Sequence, residues 1–153
     1  INDFSSDRNL RFIKDKFPTK IVKDKELVMA NTGHSAGTIF RGKHGVLSNN
    51  AFKISIKKNI ESEYLFYFLS TDNYWFNIGK LFNTAGQPHV GHSNIAKLHF
   101  FCPPLDEQEK IISIFQKIDQ NIFNKNRKVS KILSIKKSLM QDLLTGKVRL
   151  KVN

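Results

Sequence analysis

After the pair Pro103-Pro104, Ile111, Phe115, Ile118, Ile122, Val129, Ile132, Leu139 and Leu143 recur at intervals of mostly three and four residues. That spacing lays apolar side chains along one face of an α-helix. Asp106 and Glu107 stand at its start, where a helix N-terminus favours negative charge, and Gly146 stands at its end. The pattern predicts one helix of more than thirty residues, roughly 50 Å long at 1.5 Å per residue, which outreaches a globule of about a hundred residues. Much of the stripe must therefore find another helix. Lys125, Asn126, Lys136 and Lys137 interrupt it, which favours a packed pair or bundle over an obligate two-stranded coiled coil.

Seven of the eight glycines and all four prolines lie at or before Pro104, so the Pro-Pro pair is read as a domain boundary. Residues 1–104 form the first domain, 105–146 the long helix and 147–153 a tail. Within the first domain, Glu26 to Ala30, Thr38 to Arg41 and Ala51 to Lys57 read as strands, the last with clean alternation of apolar and polar residues. Glu61 to Leu69 and Tyr74 to Phe82 read as two aromatic-rich helices joined at Ser70 to Asn73, and Leu98 to Cys102 as a last strand. The expected class is α+β: a small mixed domain followed by one long helix.

With 25 Lys and Arg against 13 Asp and Glu, the chain has a net charge of +12 and predicts a polyanionic partner. Nucleic acid leads, and a membrane surface follows. The longest apolar run, Tyr64 to Leu69, falls far short of the roughly twenty residues of a membrane span. A single cysteine, Cys102, closes no internal disulfide, and its setting in Phe100-Phe101-Cys102 reads as a buried small hydrophobe. These features together point to the cytoplasm.

Enzymatic signatures are missing where they are sought. No Asp or Glu stands two residues before a Lys, as a common nuclease motif requires. Gly42-Lys43, Gly79-Lys80 and Gly146-Lys147 are followed by His, Leu and Val, not by the Ser or Thr of a phosphate-binding loop. Pro103-Pro104 lacks the preceding acidic residue or Asn of an adenine methyltransferase. His89 and His92 sit three apart, a spacing open to a metal or to a DNA-facing pair, without Cys or paired carboxylates nearby.

Two loops, in contrast, are crowded with hydrogen-bonding side chains. The first runs from Asn31 to Gly37 and continues through Arg41, Lys43 and His44 to Asn49-Asn50; the second runs from Thr84 to Ser93. Asn and Gln match adenine bidentately, Arg and Lys match guanine, and glycine lets backbone approach a duplex closely. The same residue types also make ordinary turns. Likewise, the aromatics Tyr64, Phe66, Tyr67, Phe68, Tyr74, Trp75, Phe76 and Phe82 suit stacking on single-stranded bases, but at helical spacing they read first as core.

Phe101-Cys102-Pro103-Pro104-Leu105-Asp106-Glu107-Gln108-Glu109-Lys110-Ile111 resembles the Pro-Pro-Leu-x-Glu-Gln junction of type I restriction-modification specificity subunits, where a target-recognition domain passes into a conserved helix. Lys136-Lys137-Ser138-Leu139-Met140-Gln141-Asp142-Leu143-Leu144-Thr145-Gly146-Lys147-Val148-Arg149-Leu150 is similar to the end of that helix. Lys25 to Gly33 resembles the family's strand and Thr/Ser-Gly turn, and Ala85-Gly86-Gln87-Pro88 its glycine-containing loop. A full specificity subunit resembles two recognition domains joined by helices. Here there is one, with an opening segment expected before Ile1, so the resemblance implies a fragment or half-subunit.

The resemblance further implies a non-catalytic subunit that recognises double-stranded DNA and places an adenine methyltransferase, or modification, subunit on it. A restriction (motor-nuclease) subunit is the other implied partner, and S-adenosylmethionine and ATP are expected only in those partners. Residue-to-base assignments are not implied. Composition selects Asn31, Thr32, Gly33, His34, Ser35, Arg41, Lys43, Asn49, Asn50, Gln87, His89 and His92 as facing DNA. Ile111, Phe115, Ile118, Ile122, Val129, Ile132 and Leu139 would pack on a second helix, from a second specificity half or from another copy in a homodimer. Alternative readings are a helix-mediated interaction module, an unfamiliar metal-dependent nuclease around His89 and His92, and a truncated specificity fragment that docks a partner without reading sequence.

Overall fold

The computed structural model of the chain describes residues 20–82, 86 and 88–151, which divide between Ile112 and Ser113 into two compact units. In chain order the elements are β1 (Ile21–Val22), β2 (Leu27–Ala30), a 3-10 turn (Gly33–Ser35), β3 (Ile39–Arg41), β4 (Gly45–Val46), β5 (Ala51–Lys53), α1 (Ser62–Phe68), α2 (Asp72–Gly79), α3 (His92–Ile95) and α4 (Leu105–Leu144). The class is α+β, as the patterning predicts.

The first unit is built around β2, whose four residues Leu-Val-Met-Ala are all buried. It is the centre of an antiparallel three-stranded sheet of order β3-β2-β5, with Val28 opposite Phe40 on one side and Lys53 on the other. β1 and β4 make a separate two-stranded ribbon. Leu27 and Met29 project to one face, as alternate strand residues do, and join Ala36, Ile39, Leu65, Leu69, Tyr74, Ile78 and Val90 in the core. The turn into β2 places Lys25 at φ 68° and brings Gly42 against it, with Lys25 N–H on Gly42 O (2.9 Å) and Gly42 N–H on Glu26 O (2.7 Å). A Cβ on Gly42 would lie 2.8 Å from Glu26 O and collide with Val22, so only glycine fits.

Three expectations need correction. Pairing in the segment Ala51 to Lys57 stops at Lys53, with one further bond from Ile54 N–H to Leu27 O. The partner β2 starts at Leu27, and among the described residues no strand faces the rest. The alternation there reflects one-sided burial, since Ile54 and Ile56 pack on the core while Ser55 and Lys57 are exposed. Leu98 to Cys102 forms no strand either. Phe100 is held by packing on Phe68, and Phe101 O accepts the Tyr64 hydroxyl at 2.7 Å, so side chains fix this segment without a ladder. Cys102 is exposed, not buried, because the chain turns there into Pro103, which takes the buried position.

Both aromatic helices form, the second beginning two residues earlier than expected, with Thr71 as N-cap accepting from Tyr74 N–H. Tyr64 and Tyr74 are core residues, Phe66, Phe68 and Phe82 pack on the core, and Trp75 and Phe76 are exposed. α4 is forty residues long with Asp106 and Glu107 in its first turn. Its start belongs to the first unit through Gln108, which is fully buried. Gln108 Oε1 accepts from Glu61 N–H (2.8 Å), and Gln108 Nε2 donates to Pro103 O (2.7 Å) and Asn59 O (3.0 Å). Within the second unit, Phe115, Ile118, Ile122, Val129, Ile132 and Leu139 are all exposed, whereas Ile111, in the first unit, is half-buried. Past Leu144, Gly146 turns the chain at φ 74°, its N–H on Leu143 O.

Candidate nucleic-acid interface

Asn31 leaves the buried strand β2 at the end where β5 begins, and three chain segments meet on it. Its N–H donates to Asn50 O (3.0 Å) and its C=O accepts from Val90 N–H (2.9 Å). Next to it, Thr32 and His89 form an isolated antiparallel bridge, and Gly33 N–H donates to Pro88 O (2.9 Å). The two loops singled out by composition, 57 residues apart in sequence, are thus joined main chain to main chain. Val90 is fully buried and anchors the second loop, leaving Pro88 and His89 exposed on either side of the crossing.

The first loop is fixed from beneath. Gly37 adopts φ 85° and its carbonyl accepts the buried Tyr74 hydroxyl at 2.7 Å; a Cβ there would meet Trp75, Ile78 and Phe82. Burial holds the Tyr74 phenol far above its ordinary pKa, so it stays a donor. With this support, Asn31, Thr32, Gly33, Asn49, Asn50, His89 and His92 come together along one edge of the domain. His34 and Ser35 lie in the 3-10 turn of the same loop, His34 exposed. Gln87 and residues 83–85 lie outside the described residues.

Between these segments runs an open groove of about 660 Å³ lined by Lys20, Asn31, Asn49, Phe52, Lys53 and His92 among others. The His92 ring stands edge-on to Phe52, with centroids 4.4 Å apart. Lys20 Nζ reaches Asn49 Oδ1, and the Asn31 amide lies 3.5 Å from Asn49 O. Asn31 Oδ1 is buried with no hydrogen-bond partner among the described residues, although buried acceptors are nearly always paired. Lys20 and Lys53 were not selected from the sequence. They stand at strand ends in no motif, Lys53 also reaching Glu26 at 3.3 Å, and the fold brings them here.

Arg41 and Lys43 lie elsewhere. Arg41 pairs with Leu27, at the opposite end of β2 from Asn31. Its Nη2 and Nε bond the Glu63 carboxylate at 2.6 and 3.1 Å, and the guanidinium stacks 3.7 Å above the Phe66 ring. The Glu63 carboxylate raises the Arg41 pKa further. The arginine thus clamps β3 to α1. Lys43 sits half-buried just past Gly42, beside the turn into β2.

The groove offers amides, the His92 imidazole and ammonium groups, which donate to phosphates and to base edges, the amide and imidazole also accepting from base edges. Among the described residues no group of three or more His, Cys, Asp or Glu is placed to hold a metal ion, and no helix is long and apolar enough to cross a membrane. A profile of the family described as "Type I restriction modification DNA specificity domain" matches residues 2–134. Over 136 residues the chain is 30% identical to the specificity subunit of the type I restriction enzyme MjaVIII from Methanocaldococcus jannaschii, covering 88% of this chain and 32% of that protein. Over 142 residues it is 28% identical to a second protein of that organism, whose name places it provisionally as the specificity subunit of the type I restriction enzyme MjaX; the shares covered are 88% and 31%. The chain spans about a third of the length of these relatives. The match over most of its residues shows that the chain belongs to the type I restriction-modification DNA specificity family.

Proposed function

We propose that this chain is a non-catalytic, sequence-reading unit of a type I restriction-modification assembly, which recognises double-stranded DNA and positions an adenine methyltransferase subunit on it. The observation that carries the reading is the main-chain junction of residues 31–33 with 88–90. It supports one edge dense in amide and imidazole groups and able to present them to bases. The reading set is then Asn31, Thr32, Gly33, His34, Ser35, Asn49, Asn50, His89 and His92, with Gln87 retained from the sequence. Arg41 serves as scaffold. S-adenosylmethionine and ATP belong to the modification and motor-nuclease partners, and the exposed stripe of α4 pairs with a helix of a second specificity half or a second copy.

Selection of duplexes from a random pool, with the modification subunit present, tests this. The expected result is a short enriched motif, and Asn50→Ala, which removes an exposed amide and keeps the main-chain bond to Asn31, lowers the preference for it by about tenfold or more, as loss of a bidentate base contact does, with random-duplex binding little changed. A stable complex that enriches no motif would refute sequence reading. It would favour the second reading, a docking module, which the exposed Ile118, Ile132 and Leu139 on α4 support.

A further inference from the structure

The net charge is unevenly placed. Residues 1–112 carry fifteen Lys and Arg against eleven Asp and Glu, and residues 113–153 carry ten against two, so the shorter unit holds +8 of the +12. Between Asp119 and Asp142 stand Lys125, Arg127, Lys128, Lys131, Lys136 and Lys137, all exposed, and no carboxylate. A helix face that meets only water usually mixes signs, because opposite charges four apart attract and like charges repel. Here Arg127 and Lys131 stand four apart and Lys128 and Lys131 three apart, which weakens the helix in isolation. At 3.6 residues per turn, Lys117, Arg127, Lys128 and Lys131 fall within an arc of about 100°, on the side of α4 turned from Ile118, Ile122 and Val129. Over residues 117–131 the cationic face therefore lies opposite Ile118, Ile122 and Val129, with Phe123 at its border, and the apolar stripe turns toward it only beyond Lys131, at Ile132, Ile135 and Leu139.

We propose that this cationic face of α4 binds the phosphates of duplex DNA without regard to sequence, so that the helix carries much of the non-specific affinity and the loops of the first unit carry the choice. The inference rests on the DNA-reading role proposed above and says where its phosphate contacts lie. The form of the charge favours DNA over an acidic protein surface. Lys117 to Lys131 spans about 21 Å at 1.5 Å per residue, a run matching a polyanion of closely and regularly spaced charge. Protein docking faces centre on apolar anchors, and over residues 117–131 the exposed apolar residues other than Phe123 lie on the other side of this helix.

The test is a full-length variant with Lys117→Gln, Arg127→Gln, Lys128→Gln and Lys131→Gln, in which glutamine keeps the helix propensity and circular dichroism verifies the helix. Binding to a random-sequence 30-bp duplex and to the selected duplex is measured from 50 to 200 mM salt. Since each phosphate contact contributes about 0.9 to the slope of log K against log salt, the random-duplex slope should flatten by about 2 to 4. The ratio between the two duplexes should stay unchanged. An unaltered slope overturns the proposal, and if binding of the modification subunit is lost instead, the face belongs to that protein. A fall in the ratio equal to the fall in affinity would overturn the division of labour. Should the wild-type chain prefer no duplex, sequence reading by the loops fails, while the slope still decides the role of the helix.

Discussion

Replacing Gln108 by alanine should destabilise the first unit by about 2–4 kcal/mol. The amide is fully buried and makes three short bonds to main-chain groups, Glu61 N–H, Pro103 O and Asn59 O. Each such bond contributes about 1 kcal/mol net, and a buried group left unsatisfied costs about 1–3 kcal/mol. Pro103 is buried, whereas Asn59 and Glu61 are exposed and regain water, which keeps the sum below the upper limit. Urea unfolding followed by the fluorescence of Trp75, the chain's single tryptophan, located in the first unit, reads this directly. With a slope of about 1.5 kcal/mol/M, the midpoint should fall by about 1.3–2.7 M. Gln108→Glu keeps the acceptor for Glu61 N–H but sets a carboxylate against two carbonyl oxygens. That raises its pKa in the folded state, so this variant should be least stable at neutral pH and recover as the pH falls and the new acid is protonated. A shift below about 0.5 kcal/mol for Gln108→Ala, or a Gln108→Glu variant that is as stable at pH 7 as at pH 4, would refute the account of this junction.

Arg41→Ala should cost about 1 kcal/mol of stability, a partly solvent-screened clamp being lost, and leave the preference among duplexes unchanged; lost preference at unchanged stability would return the guanidinium to the reading set. The Glu26 carboxylate accepts from Lys23 N–H at 2.8 Å, with Lys53 Nζ at 3.3 Å, and these hold its pKa below the ordinary value. A folded pKa below the unfolded one gives stability that is present above the unfolded pKa and lost as pH falls through the folded one. Glu26→Gln should therefore lose less stability than wild type between about pH 5 and pH 3, and superimposable acid limbs would contradict this.

What was legible in the sequence was whatever repeats along it. The 3.6-residue recurrence from Ile111 to Leu143 became α4, and the apolar run of Leu27 to Ala30 became the buried central strand. Contacts between distant residues were not legible. Arg41 read as a DNA ligand because nothing local announces Glu63, 22 residues on, or the Phe66 ring beneath the guanidinium. Both loops were picked out by composition, but that Thr32 lies beside His89 depends on how β2 and the segment before α3 pack. Gln108 stood inside the junction motif with no role assigned, since its partners at Asn59 and Glu61 lie almost fifty residues upstream. Leu98 to Cys102 shows the converse: apolar residues with strand propensity pair with no strand among the described residues and are fixed by side-chain contacts to Tyr64 and Phe68.

Because the junction between residues 31–33 and 88–90 is made of main-chain groups alone, it makes few demands on the identity of the side chains it displays. Thr32 and His89 can be exchanged for almost any residue without disturbing the bonds that hold them side by side. Only Gly33, at φ 77°, and the buried Val90 are tied to the frame, and proline is barred at 33 and 90, where the N–H is needed. Such an edge resembles a rack with fixed slots. New side chains, and with them new specificities, can be tried one position at a time while the scaffold beneath keeps its shape.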